Sequence, residues 1–332
     1  MTWFQQLTGF EESTPRAVRE KLQVDGELLT SLSSHGSYRC GVLEVPALAE
    51  LRQRAEDVDS LAGRIKVREV VANVQKLHAH EANAGALFQV ASQFNLLEMV
   101  SPDRTPEEGV GIYEYDRTQG PACAIACGAG TIYRNYFVPV NDQTGQTATN
   151  QIDCLADMGT ALGNQQRRLW QMKNGYAIPS EAGLAEISQR LLSSSERQLD
   201  ELRSLLRIGV QWNTQVTLKN CQHVVSQAYC SAMPVAYTGH SSSAWMSFAR
   251  LVLESAYDAT LCAAILNARA TGNRMVFLTL LGGGAFGNVT EWITDSIRYA
   301  LDIHRNIDLD VAIVSYGTSK DFVRKLSADY PA

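Results

Sequence analysis

The sequence predicts an α/β layered protein. Two observations carry this: runs rich in β-branched residues alternate with helical runs along most of the 332 residues, and the last third reads strand, glycine loop, helix and strand in direct succession. Composition agrees, since 45% hydrophobic and 19% charged residues suit a globular chain with a large core. A net charge of −6 gives no reason to expect nucleic acid. The start, Met1-Thr2-Trp3-Phe4-Gln5-Gln6, lacks the basic and apolar regions of a leader. No apolar stretch approaches the roughly 20 residues that span a bilayer. The expectation is a cytoplasmic protein without membrane contact. Seven scattered cysteines without a Cys-x-x-Cys pair suggest free thiols, and neither a metal nor a cofactor is expected.

Residues 1–64 read as a mostly helical N-terminal extension and residues 65–332 as the main domain. In the extension Trp3, Phe4, Leu7 and Phe10 share an apolar face, and Pro46 opens a helix running through Leu51. Residues 65–74 are strand-like. A helix is expected over residues 84–100, ending at Ser101-Pro102. Glu98 falls in its last turn, where an anion is unfavourable and calls for a specific partner. Residues 101–111 form a polar loop. The stretch 112–121 is dense in groups that bind or move protons, including Glu114, Asp116, Arg117 and Gln119. Small apolar residues at 122–129 suit close packing, and residues 141–165 read as loop or weak helix. Leucines recur at helical spacing over residues 181–207. A strand follows at 210–218, then a long, mostly apolar and therefore buried helix over 245–268. The chain closes with a strand at 275–281, a glycine loop, a helix from Thr290 to about His304, and a strand at 311–314.

The glycine loop, Gly282-Gly283-Gly284-Ala285-Phe286-Gly287-Asn288, is the most informative stretch. Glycines permit a tight turn and close approach of backbone to a ligand. The helix N-terminus behind them offers unpaired N–H groups and the positive end of a dipole. Together these describe a phosphate cradle. Gly282, Gly284 and Gly287 also fit the Gly-x-Gly-x-x-Gly dinucleotide fingerprint. Too little chain follows Gly287 for the remaining crossovers of such a domain, and no acid follows the next strand to hold a ribose diol.

The order of this loop, the helix through Ile297 and Ala300, the strand 311–314 and the end Ser315-Tyr316-Gly317 resembles the C-terminal part of macrodomains, closest to the poly(ADP-ribose) glycohydrolase branch. Ser226-Gln227-Ala228-Tyr229-Cys230 is similar to that branch's Ala-Tyr-Cys segment. The resemblance covers roughly residues 220–318. It implies a three-layer α/β/α fold with a mixed central sheet. It also implies ADP-ribose or an ADP-ribosylated protein as partner, with the loop around the diphosphate and Phe286 against the terminal ribose. The branch carries a catalytic Gln-Glu-Glu. The matching region here is residues 83–95, where Gln89 fits the glutamine but Val90 and Ala91 replace the glutamates. Gln93, Phe94 and Asn95 remain candidates for contact with ribose or adenine, or an ordinary helix face.

Cleavage of a glycosidic bond needs an acid, or a carboxylate that orients water. Glu254 and Asp258 are i, i+4 on the long apolar helix, so they share a face, and two like charges there invite a raised pKa. The alternative is one surface acid and one partner of Arg250. Asp116 is the other candidate. Together these readings anticipate an ADP-ribosyl hydrolase acting on a modified protein side chain, with arginine linkage suited to an acid pair. The alternatives are a reader module that binds ADP-ribose without turnover, and an enzyme acting on a free ADP-ribose derivative.

Overall fold

The structure, a computed structural model, describes residues 1–56, 61–219 and 221–331. Helix α1 (Trp3–Thr8) starts at Thr2, whose hydroxyl accepts the Gln5 N–H at 3.2 Å, and stops at Gly9 in the left-handed region. Helix α2 (Pro15–Lys21) is capped by Thr14 and has proline in its first turn. Strands β1 (Leu22–Asp25), β2 (Leu28–Ser31) and β3 (Ser37–Arg39) form a separate antiparallel sheet. Gly26, at φ 56°, makes the two-residue turn between β1 and β2. The extension is therefore part strand, not mostly helical. Its apolar face packs as a second core: Phe4 is fully buried, edge-on to Phe10 at 5.5 Å and to Tyr136 at 6.5 Å.

Strand β4 (Val42–Glu44) leaves this unit to become an edge of the main sheet, and the buried Leu48 and Leu51 of helix α3 (Leu48–Ala55) belong to the main core. Residues 42–55 of the expected extension are thus shared with the main sheet and its core. Next come β5 (Lys66–Val71), α4 (Val74–Ala79), β6 (Leu87–Ala91), α5 (Gln119–Ala126) and α6 (Gly128–Tyr136). A hairpin of β7 (Pro139–Val140) and β8 (Gln143–Thr144) precedes α7 (Ala156–Leu162). A second hairpin, β9 (Trp170–Lys173) and β10 (Tyr176–Pro179), leads to α8 (Glu181–Ser193) and α9 (Glu196–Arg203). The remainder is β11 (Gly209–Gln215), β12 (Val224–Cys230), α10 (Ser242–Thr271), β13 (Met275–Thr279), α11 (Thr290–Ile303), β14 (Asp310–Ser315) and α12 (Asp321–Ala328).

The main sheet has seven strands in the order β4-β11-β12-β6-β13-β14-β5. The first three pair antiparallel and the rest parallel, so the sheet is mixed, as expected. Side-chain alternation assigns its faces. Gln89 of β6 donates to the Thr260 hydroxyl of α10 at 2.8 Å, and Cys230 of β12 meets the same hydroxyl. On the opposite face Phe88 stacks on His78 of α4 at 3.8 Å, and Gln227 donates to the Cys123 carbonyl of α5. Helix α10 therefore covers one face, ringed by α3, α8, α9 and α11, while α4, α5 and α6 cover the other.

Residues 84–100 do not form the expected helix. Gly85, at φ 74°, breaks the chain, and Leu87-Phe88-Gln89-Val90 run as a central strand with parallel neighbours on both edges. A short apolar run buried on both faces carries no period that separates strand from helix. Length and composition make α10 long and apolar enough to cross a membrane, contrary to the sequence expectation, yet 94% of its most apolar window is buried inside the protein.

The charged side chains of α10 clamp the helical layer. Arg203 of α9 meets Glu254 at 2.8 Å. Asp258, with a fully buried side chain, takes Arg52 of α3 at 2.7 Å and His304 Nε2 at 2.8 Å, and Arg52 continues to Asp200 of α9 at 2.9 Å. Removing one partner of such a pair strands the others. Asp258→Ala should therefore lose on the order of 3 kcal/mol of unfolding free energy, read as a lower urea midpoint with unchanged slope. A loss below about 0.5 kcal/mol, the size of an ordinary surface substitution, would show that the clamp contributes nothing.

Candidate functional site

The parallel strands β6, β13 and β14 end side by side, and Ala91, Thr279 and Val314 form the floor of a cleft of about 770 Å³. Carboxyl ends of parallel strands are where open α/β sheets bind ligands, because loops and helix N-termini gather there.

One wall is the glycine loop between β13 and α11. The loop is tied to itself: the Asn288 N–H donates to the Gly282 carbonyl at 2.9 Å, and the Gly287 N–H to the Gly284 carbonyl at 3.0 Å. The Asn288 side chain anchors it by donating to the Met233 carbonyl at 2.8 Å. Gly282 and Gly287 have φ near 70°, and a Cβ at either would collide with Ala232 or Ala236. Gly284 differs: a Cβ there would meet nothing within 4 Å. The turn does not require that glycine, whose Cα faces open cleft. Among the described residues the N–H groups of Gly284, Ala285 and Phe286 have no acceptor. Gly282 to Phe286 line the cleft, whereas Gly287 and Asn288 close the loop behind it.

Two helix N-termini converge on the same space. Thr290 and Ile293 of α11 and Gln119, Gly120 and Pro121 of α5 line it, and neither helix has a side-chain cap at its start. An aromatic cluster joins Phe286 to Tyr176 at 5.3 Å and to Tyr237 at 5.6 Å, all three in the lining. Tyr115 and Tyr316 stand at the rim, 76% and 57% exposed, near Arg117 and Lys320.

Two carboxylates line the cleft. Asp116 accepts the Thr118 N–H at 2.8 Å through Oδ1, which shapes the entry to α5. Its Oδ2 has no protein partner among the described residues. Glu98 lies in the loop after β6 and is only 2% exposed. Its N–H donates to the Tyr113 hydroxyl at 3.1 Å, Arg134 Nη2 lies 3.4 Å from its Oε1, and its Oε2 has no partner. Burial pushes the Glu98 carboxyl up to about 7, against the pull of Arg134 and of the Tyr113 hydroxyl. Arg134 is itself fully buried, donating to the Leu96 carbonyl at 3.0 Å and lying 3.6 Å over the Tyr229 ring. Sequence reading singled out Glu98 only as a misplaced helix anion. The usable signal was a lone acid between Leu96-Leu97 and Met99-Val100.

The remaining candidates fall elsewhere. Glu254 and Asp258 do not line the cleft; they face α9, α3 and α11 in the clamp. Each has its own cations, so the pair does not share a raised pKa. Burial raises Glu254, but at Asp258 His304 and Arg52 overcome burial and hold the carboxyl low. Asp258, Cys262 and His304 bring three ligand atoms within 4.8 Å of one another, and Arg52 on Asp258 already supplies positive charge there. Gln89 faces α10 and accepts the Thr279 N–H through its Oε1, so it does not occupy the position of a cleft glutamine. Gln93 lines the cleft, but its amide is spent on Met99, donating to the carbonyl at 3.1 Å and accepting the N–H at 2.8 Å. Phe94 is buried core. Asn95 is fully buried, donating to Gln151 at 2.9 Å and accepting the Leu97 N–H. Both hold the loop and touch no ligand space.

No family model matches the chain, and no curated protein matches it. Among solved structures it is similar to the poly(ADP-ribose) glycohydrolase from Thermomonospora curvata, at 13% identity and a TM-score of 0.46 over 95% of this chain and 96% of that one. It is also similar to a mutant of the poly(ADP-ribose) glycohydrolase from Deinococcus radiodurans in complex with ADP-ribose. That match has 11% identity and a TM-score of 0.45 over 86% of this chain and 91% of that one.

Proposed function

We propose that this chain binds ADP-ribose in the cleft and hydrolyses the bond joining it to a modified protein side chain. The observation that carries the reading is the row of unpartnered N–H groups at Gly284, Ala285 and Phe286, open to the same cleft as two carboxylates. Such a row, backed by the α11 N-terminus, suits a diphosphate. Lys320 and Arg117 add positive charge at the rim. Phe286, braced by Tyr176 and Tyr237, offers an apolar face for a ribose, and the exposed ring of Tyr316 offers one for a base. The free oxygen of Asp116 suits a ribose hydroxyl or an attacking water. The preference for arginine linkage expected from Glu254 and Asp258 loses its basis, since neither reaches the cleft.

Three outcomes test the reading. ADP-ribose at a hundredfold excess over its Kd should stabilise the chain by about 2.7 kcal/mol, seen as a rise in melting temperature; no shift at millimolar ligand overturns ADP-ribose as the ligand. Gly284→Glu should fold normally, because its site is open, and yet lose the shift through charge and bulk; retained affinity would reduce the loop to a turn. Asp116→Asn should keep binding and slow ADP-ribose release by about a hundredfold. Binding with no release from Arg-, Glu- or Ser-linked substrates would make the chain a reader.

A further inference from the structure

We propose that Glu98 is the catalytic acid of this cleft, supplied by the loop after β6 and not by a helix. The inference rests on the hydrolase reading above and adds the group that moves the proton. Three observations converge. Glu98 lines the cleft, although its side chain is almost wholly buried. Its Oε1 is turned to Arg134, and its backbone is held by Tyr113, so the carboxyl has a fixed direction. Its Oε2 is buried without a partner. An orphaned buried carboxyl oxygen is costly and rare in folded proteins. Glu98 is thus a cleft-lining carboxyl whose hydrogen-bonding capacity the described residues leave partly unused.

The surroundings keep this acid protonated near neutrality. The ionisable groups facing it are Arg134 of α6, Tyr113 of the turn before α5, Tyr229 of β12 and Cys123 of α5. Burial pushes both tyrosines and the thiol well up, so only Arg134 carries charge. Desolvation outweighs it, and the carboxyl is pushed up to about 7.

In the first half of the reaction the Oε2–H proton passes to the leaving heteroatom as its bond to the ribose anomeric carbon breaks. In the second half a water oxygen bonds to that carbon and its proton returns to Glu98. One water is consumed, a free side chain and ADP-ribose are released, and Glu98 is regenerated. Arg134 is a positioning residue: it orients Oε1 and limits how far burial raises the carboxyl.

The experiment compares wild type, Glu98→Gln and Glu98→Asp. ADP-ribose binding is read by calorimetry. ADP-ribose release from Arg-, Glu- and Ser-linked proteins is read from pH 5 to 9. Wild-type kcat should fall as pH rises through about 7. Glu98→Gln should bind ADP-ribose within about threefold of wild type and lose about 10²–10⁴ in kcat. Glu98→Asp, which keeps the acid but withdraws it by one methylene, should retain weak turnover and the alkaline fall, and it serves if the amide fails to fold. A raised native pKa means the native state holds the extra proton. The melting temperature of wild type should therefore fall relative to Glu98→Gln from pH 4.5 up to about 7 and stay parallel above. Turnover in Glu98→Gln near wild type, with the same pH profile, overturns the role of Glu98 alone. ADP-ribose binding without release by wild type overturns the hydrolase reading and this role together. Absence of the relative fall in melting temperature shows that the carboxyl does not titrate there, and also overturns it.

Discussion

Arg134 is the constraint around which this molecule is arranged. Its charge is entirely out of water, so every neighbour must answer it. The Leu96 carbonyl and the Glu98 carboxyl do so from the loop after β6, and the Tyr229 ring and hydroxyl from β12. Its own carbonyl accepts from Gln146, which also donates to the Asn95 carbonyl. The loop after β6 is thereby pinned to α6 and β12 without regular structure of its own. Tyr229 donates in turn to Gln227, and Gln227 approaches His78, which burial holds neutral with its pKa lowered to about 4. One buried cation thus organises a polar seam from the cleft into the middle of the sheet.

The same reasoning separates the two sets of acids. Glu254 and Asp258 look catalytic by residue type and spacing, but Arg203 and Arg250 satisfy the first and Arg52 and His304 the second, so they hold helices together. Glu98 has one weak partner and one bare oxygen, and it opens on a cleft. The difference lies in the partners and in the lining of the cleft, not in burial, which all three share.

Legibility in the sequence follows from how local each signal is. The glycine loop, β13, α11 and β14 were readable because strand, turn and helix start are written within forty residues. The long helix α10 is legible by its length and mostly apolar composition. β6 is not legible locally because both its faces are buried, and the places of Gln93 to Asn95 depend on it. The partners of Asp258 come from residues 52 and 304, and those of Glu98 from 113 and 134. No spacing rule joins such positions, so the roles of these acids emerge only when the chain is folded. The same holds for β4, whose partner β11 lies far along the chain.

Gly120 shows what this packing forecloses. The first turn of α5 lies so close on the end of β6 that a Cβ at position 120 would sit 2.2 Å from the Ala91 carbonyl oxygen. Backbone stands on the other side of that collision, so no rotamer relieves it. Every larger residue is barred from this turn as long as α5 and β6 keep their docking. An acid could not be placed at this point of the helix by single substitution, so the carboxylates that line the cleft come from the irregular chain beside it. A structural contact between two backbones narrows which substitutions are available to the cleft.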